Sequence, residues 1–387
     1  MIEHNLSSAI KEMGTFTSRT ALFNSEIYKQ HKEEIEKVLD TVELCDGEGV
    51  SPINGKFLRV LSWNIERGKK QRGIIDFLKA HPEASSADII LLQEVDQGMA
   101  RTENKDVATE ISSALNMHYA FVPQHLELSK GKERLEEEIP GEDEKSIHGI
   151  AILSRYKIKK AWSWVLHECD SSEHTFQLEP RIGRKRALAV QVEINGKTFT
   201  FVNVHLSVFT IPKCRLMQAK KLTEGLKDID GPILIGGDFN TTAFRRGSKV
   251  NELYEAVRFL FADVDKFIHS ITHPENKEPL FNWMEKEGFE YRDANPKEKV
   301  TAFTKLKGLA DIKWMPRWIE KRVVTRLEKL DYRAPLNLDW FFLRNLKPLK
   351  EGEIKEPPSI NPVALTPDWE KEELLSDHAA IMIDLPI

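Results

Sequence analysis

The chain has 387 residues, 41% of them apolar and 30% charged, which excludes a disordered polymer, a collagen and a disulfide mini-protein. At about 150 residues per domain, the length allows two to three domains or one large α/β domain with extensions. Lys and Arg total 56 against 61 Asp and Glu, a formal net charge of −5. A protein-wide basic footprint for nucleic acid is therefore absent, while a local patch is still allowed.

Residues 1–56 read as an N-terminal helical extension. The opening MIEHNLSSAIKEMG has neither a basic start nor an apolar core, so no secretory signal is expected. Glu26–Val42 is helix-like, and Gly47, Gly49, Pro52 and Gly55 then punctuate the chain. Residues 57–387 form the main domain. Strands are predicted at Phe57–Trp63, Asp88–Gln93, Gly149–Ser154, Arg186–Ile194, Thr198–Leu206, Ile233–Ile235, Leu338–Leu343 and Ala379–Leu385. Helices are predicted at Ile74–Ala80, Asp106–Met117, Lys213–Lys227 and Lys249–Phe261. Asn195-Gly196 marks a hairpin, because this dipeptide tolerates the positive φ of a type I′ turn. The sheet order is therefore mixed, with helices outside. Glu133–Glu144 and the Pro-rich Glu351–Glu373 read as loops.

Cys45, Cys169 and Cys214 are widely spaced, odd in number and form no CxxC. Neither a disulfide framework nor a cysteine zinc site is expected, and a reducing, cytoplasmic setting is the simplest reading. No run approaches the roughly 20 apolar residues of a membrane span. His125, His167 and His174 lack recognisable partners and default to the surface.

Polar residues suited to metal binding or proton transfer recur where predicted strands end. Asn64 follows Val60-Leu61-Ser62-Trp63, and Glu94 follows Ile89-Ile90-Leu91-Leu92-Gln93. Asn203 and His205 lie two apart on one strand and share a face. Asp238 and Asn240 follow Ile233-Leu234-Ile235-Gly236-Gly237, Asp339 opens an aromatic strand, and Ser376-Asp377-His378 precede the last one. One such residue is usually a cap or turn former. Six placements in one chain point to strand ends that converge on an acidic, metal-binding cleft.

The ordered set Ser62-Trp63-Asn64, Leu92-Gln93-Glu94-Val95, His148 through Arg155, Asn203-Val204-His205, Gly237-Asp238-Phe239-Asn240, Leu338-Asp339-Trp340 and Ser376-Asp377-His378 resembles the endonuclease/exonuclease/phosphatase (DNase I-like) superfamily. The resemblance implies an α/β four-layer sandwich of two mixed β-sheets flanked by helices. It also implies a Mg²⁺- or Mn²⁺-dependent hydrolase of phosphoric esters. It gives Glu94, Asn64 and Asp377 to the metal and its water shell, and Asp238 and Asn240 to the attacking water. His378, kept cationic by Asp339, would face the phosphate, and His205 would act as general acid. That His leans away from the DNA-repair branch. Arg186, Asn203 and His148 are weaker candidates for substrate binding.

The implied reaction is phosphodiester hydrolysis of nuclease type, with a phospholipid (sphingomyelinase-like) or inositol-phosphate hydrolase as the alternative and an inactive binding module as a remote one. The partner is accordingly a nucleic acid, a phosphorylated lipid or a small molecule. Lys305–Arg333 carries nine Lys or Arg against four acids, interleaved with Trp314 and Trp318. This insert reads as an amphipathic helix packed on the domain, or as a cationic lip that meets an anionic substrate or a membrane surface.

Overall fold

The computed structural model describes all residues except 48–51, 53–54, 131–138, 170, 298–299, 306–316, 329, 331, 368 and 370–373. Much of the basic insert and of the acidic 133–144 segment thus lies outside the described residues. Among the described residues, no helix is long and apolar enough to cross a membrane.

Alternation along the strands builds two large mixed sheets. In the first, β2 (Phe57–Asn64) runs parallel to β3 (Ile89–Gln97) and antiparallel to β15 (Ala380–Pro386). Antiparallel pairing continues from β3 through β5 (Ile147–Ser154) to β4 (His118–Glu127). Short strands β1 (Glu43–Cys45), β7 (Arg181–Gly183) and β14 (Val363–Leu365) complete it. The second sheet has the order β13 (Asp339–Arg344), β10 (Ile233–Asp238), β9 (Lys197–His205), β8 (Arg186–Ile194), β6 (Ile158–Val165). A small hairpin pairs β11 (Ala302–Lys305) with β12 (Arg333–Leu336).

Successive residues of β2 and β3 serve opposite faces, as a strand period of two requires. Val60, Ile89 and Leu91 meet Leu188, Val190, Phe201, Leu234 and Phe341 between the sheets. Leu61, Trp63, Ile90 and Leu92 face outward onto helices, and Val202, Val204, Ile233 and Ile235 do so from the other sheet. The result is the expected four-layer sandwich. Each fully buried Leu, Ile or Phe contributes about 1.5–3 kcal/mol, so the central layer dominates cohesion. The N-terminal extension joins this structure: Leu6, Ile10, Met13, Leu22 and Ile35 enter the same core as Leu61 and Trp63.

Two of the longer strands were hidden from sequence patterning, along with the short β1, β7, β11, β12 and β14, the last of them inside the predicted loop Glu351–Glu373. All of β4 is buried, and His118, Gln124, His125 and Glu127 interrupt its apolar run. β6 lies at a sheet edge and carries Lys159 and Lys160. The expectation of unpaired cysteines is also corrected. Cys169 and Cys214, 45 residues apart, are disulfide-bonded with a Cα–Cα distance of 6.0 Å. Loop closure by β6, β8 and β9 brings them together, which linear spacing does not display.

Gly237 sets the approach of β10 to β9. Its φ is +144°, and a Cβ there would stand 2.0 Å from the Val204 carbonyl oxygen. Gly237→Ala is expected to lose at least about 1–3 kcal/mol of stability, read as a lowered denaturant midpoint; an unchanged midpoint contradicts this constraint.

Candidate active site

Strand pairing gathers the polar strand ends at one edge of the sandwich. Asp238 at the end of β10 is in register with His205 at the end of β9 and with Asp339 at the start of β13. On the other sheet, Asn64 pairs with Gln93, next to Glu94. Glu94 occupies a bulge, with φ +54° and a register shift between Gln93 and Val95. The extra residue breaks the alternation and aims this carboxylate into the cleft while its neighbours stay buried.

Asn64 joins the two sheets. Its Nδ2 donates to Glu94 Oε1 at 3.2 Å and to Asp238 Oδ2 at 3.2 Å, and its Oδ1 accepts from the Glu66 backbone N–H at 3.1 Å. The Asn240 backbone N–H donates to Asp238 Oδ1 at 2.8 Å, and Asn240 Nδ2 donates to Asp238 Oδ2 and to the Leu206 carbonyl. His205 Nε2 lies 3.5 Å from Asp238 Oδ2 and 4.0 Å from Glu94 Oε1. His378 Nδ1 is 2.9 Å from Asp339 Oδ2, and its Nε2 is 4.0 Å from Asp238 Oδ2.

Two hydroxyls hold the chain behind this cluster. Ser376 Oγ donates to the Asn64 carbonyl and accepts from the His378 backbone N–H. Thr301 Oγ1 accepts from the backbone N–H groups of Leu338 and Asp339. The first belongs to a quoted motif; Thr301 carries no sequence signal, because it acts through backbone groups 37 and 38 residues away.

Burial and charge divide the titrating groups. Burial pushes Asp238 up to about 7; His378 opposes this, while Asp339 and Glu94 add to it. Burial also disfavours charge on His378, but Asp339, Asp377 and Asp238 outweigh it and raise its pKa well above the usual value. His205 goes the other way, held neutral by burial and the charge of Lys185 against the pull of Glu94. Glu94 is held below the usual carboxylate range: its burial is opposed most by His205, then by Arg67 and His148, with the hydrogen bond from Asn64 adding to them. Asp377 is exposed at the cleft rim, where Glu94 and Glu66 raise its pKa against the pull of His378.

Three weaker candidates separate. His148 lines the cleft beside Glu94 and His205, its Nδ1 2.8 Å from Asp96 Oδ1. Asn203 does not reach the cleft. It is fully buried, accepts from Gln93 Nε2 and donates to the Leu92 and Ala151 carbonyls, which makes it a tie between the sheets. Arg186 is also removed from the cluster, because its Nη1 pairs with Asp40 at 2.8 Å. His125 is buried rather than on the surface, stacked near His148. Sequence reading missed the cations lining the cleft, Arg67, Arg101, Arg181 and Lys185. The basic run Arg181–Arg186 was a visible signal for Arg181 and Lys185 alone.

A sequence profile described as the Endonuclease/Exonuclease/phosphatase family matches residues 61–273. No curated protein matches the sequence. Among solved structures, the chain is similar to an endonuclease/exonuclease/phosphatase from Beutenbergia cavernae DSM 12333, at 14% identity, TM-score 0.49, covering 86% of this chain and 72% of that one. It is also similar to a family protein from Leptotrichia buccalis C-1013-b, at 16% identity, TM-score 0.49, covering 85% and 100%. A third is the human Nocturnin catalytic domain with bound sulfate, at 15% identity, TM-score 0.44, covering 89% and 96%.

The Asp339–His378 pair gives a direct test. With the histidine pKa raised in the folded state, its stabilisation is complete below the unfolded value of about 6.5 and is lost as pH rises through the folded value. Asp339→Asn should lower the His378 pKa in an NMR titration of the imidazole; an unshifted titration contradicts the pairing.

Proposed function

Since this chain belongs to the endonuclease/exonuclease/phosphatase family, we propose that it is a divalent-metal-dependent phosphoric ester hydrolase of nuclease-type phosphodiesterase activity. Water attacks phosphorus in line with the leaving oxygen. The observation that carries this reading is the meeting of Asn64, Glu94, His205, Asp238, Asn240, Asp339 and His378 in one cluster between the sheet ends.

A phosphodiester is anionic and resists attack. Hydrolysis needs positive charge at the phosphoryl oxygens, an activated water and a proton for the leaving oxygen. The donor set suits a hard cation that takes one or two carboxylates and keeps water. Glu94, ionised and aligned by Asn64, and Asp377 on the rim would hold Mg²⁺ or Mn²⁺. When bound, such an ion neutralises phosphoryl oxygen charge and acidifies a water it carries.

The chain supplies the remaining parts. Asp238, poised near 7, accepts the proton of the attacking water, since a base works best when its pKa is near the operating pH. Asn240 fixes that carboxylate with two hydrogen bonds. Cationic His378 faces the phosphoryl charge, held by Asp339. His205 is neutral in the free protein; an anionic phosphate beside it raises its pKa and equips it to protonate the leaving oxygen.

Two observations favour an extended anionic substrate such as nucleic acid. Arg67, Arg101, Arg181 and Lys185 line the cleft beside Glu94 and His205. The basic insert is rooted at the cluster: Ala302 bridges to His378, and the Phe303 backbone N–H donates to the Asp377 carbonyl. Its helix Arg317–Glu328 exposes Lys321 and Arg322.

The test is a panel of an aryl phosphodiester, an aryl phosphomonoester, single- and double-stranded nucleic acid, sphingomyelin and an inositol phosphate, with Mg²⁺, Mn²⁺ or EDTA. Diester and nucleic-acid turnover should need the metal, stop with EDTA and rise with pH as Asp238 loses its proton. Asp238→Asn should cut turnover by about 10²-fold or more without altering the circular dichroism spectrum. Near-normal activity in that variant breaks the mechanism, and turnover confined to lipid or inositol phosphate redirects the substrate assignment.

A further inference from the structure

Outside the catalytic cluster, a second group of ligating side chains stands beside the strand end that carries His205. His167, Cys169 and Cys214 are half-buried, and their ring nitrogen and sulfur atoms all lie within 4.8 Å of one another. His167 and Cys169 sit on the loop after β6, and Cys214 lies in the first turn of the helix Pro212–Glu224.

The sulfur–sulfur bond is not the one link between the two segments among the described residues. One turn along from Cys214, Gln218 Nε2 donates to the His167 carbonyl at 3.2 Å and to Ser207 Oγ at 2.8 Å. Gln218 Oε1 accepts from the Ser207 backbone N–H at 3.1 Å. The Leu166 backbone N–H donates to the Lys185 carbonyl at 2.9 Å. Buried Gln218 therefore clips the loop to the helix on the face that presents Cys214. None of these bonds involves a sulfur atom. The His167 ring has no hydrogen-bond or ion-pair partner among the described residues.

We propose that, with the disulfide reduced, His167, Cys169 and Cys214 form a binding site for a borderline-soft divalent cation of the zinc class. Two thiolates and one imidazole make three of the four ligands zinc prefers, and water completes the tetrahedron. The catalytic cluster, whose carboxylates suit hard cations, selects a different ion class. Disulfide and metal are thus alternative occupations of one place. In the first step a phosphine reductant and water convert the S–S bond to two thiols, and the phosphine leaves as its oxide. In the second, both thiols lose their protons to solvent as their sulfurs bind the cation, and His167 contributes a lone pair. The site cross-links the loop and helix on either side of Ser207, two residues beyond His205.

Cobalt(II) tests this on the full chain, because thiolate ligation gives an intense sulfur-to-cobalt charge-transfer absorption that oxygen and nitrogen ligands do not. A Cys45→Ser background removes the exposed free thiol. After anaerobic phosphine reduction, the band should grow to one equivalent and be bleached by an equivalent of Zn²⁺. It should be absent from the oxidised protein and from Cys214→Ser, and His167→Ala should weaken binding by tenfold or more. As a check independent of those variants, zinc should protect both Cys169 and Cys214 from iodoacetamide in the reduced protein. No band in the reduced protein, a band retained in Cys214→Ser, or unprotected thiols would overturn the site. Activity is not the readout, so failure here leaves the hydrolase reading untouched.

Discussion

Three carboxylates crowd one buried space. Asp238 lies in register with Asp339 and is bridged to Glu94 through the Asn64 amide. Like charges taken from water cannot all ionise unless something compensates them. The protein's own compensation is uneven: His378 is committed to Asp339, while His205 is held neutral. Burial leaves Asp238 near 7, whereas the cationic surroundings of Glu94 keep it ionised. The same crowding leaves one carboxylate a proton to exchange near neutral pH, and on the proposed reading it is what an added cation would relieve.

The scaffold fixes this arrangement from behind. Because β9, β10 and β13 are consecutive in one sheet, a single register row sets the spacing of His205, Asp238 and Asp339. Close approach at Gly237 keeps the row tight. Across the gap, Asn203 binds the interior of the first sheet, and Asn64 closes the edge. Groups held on strands by packed cores need little reorganisation when charge develops, which is how such sites lower barriers.

Much of the fold was legible in the sequence, because most strands are short apolar runs ending in turn-forming polar residues. Arg186–Ile194 was read to the residue, and Asn195-Gly196 adopts the positive φ its chemistry allows. The polar strand ends were visible as types and positions; their geometry was not. No local signal told that Glu94 sits in a bulge, or that Asn64 turns its NH₂ toward two carboxylates. Asn203 shares a strand with His205, yet its side chain is consumed between the sheets. Arg186 looked like a substrate contact because its partner Asp40 lies 146 positions away in the N-terminal extension. The pairing of Cys169 with Cys214 was hidden for the same reason. Contacts made by tertiary closure leave no trace in spacing.

The central claim is that these strand ends assemble around one divalent cation held chiefly by Glu94. Manganese binding, followed by electron paramagnetic resonance of free Mn²⁺, tests it without reference to substrate. Wild-type protein should take up one ion in the cleft, and Glu94→Gln should weaken that uptake by tenfold or more while the fold persists. Equal manganese affinity in the two proteins would contradict the account.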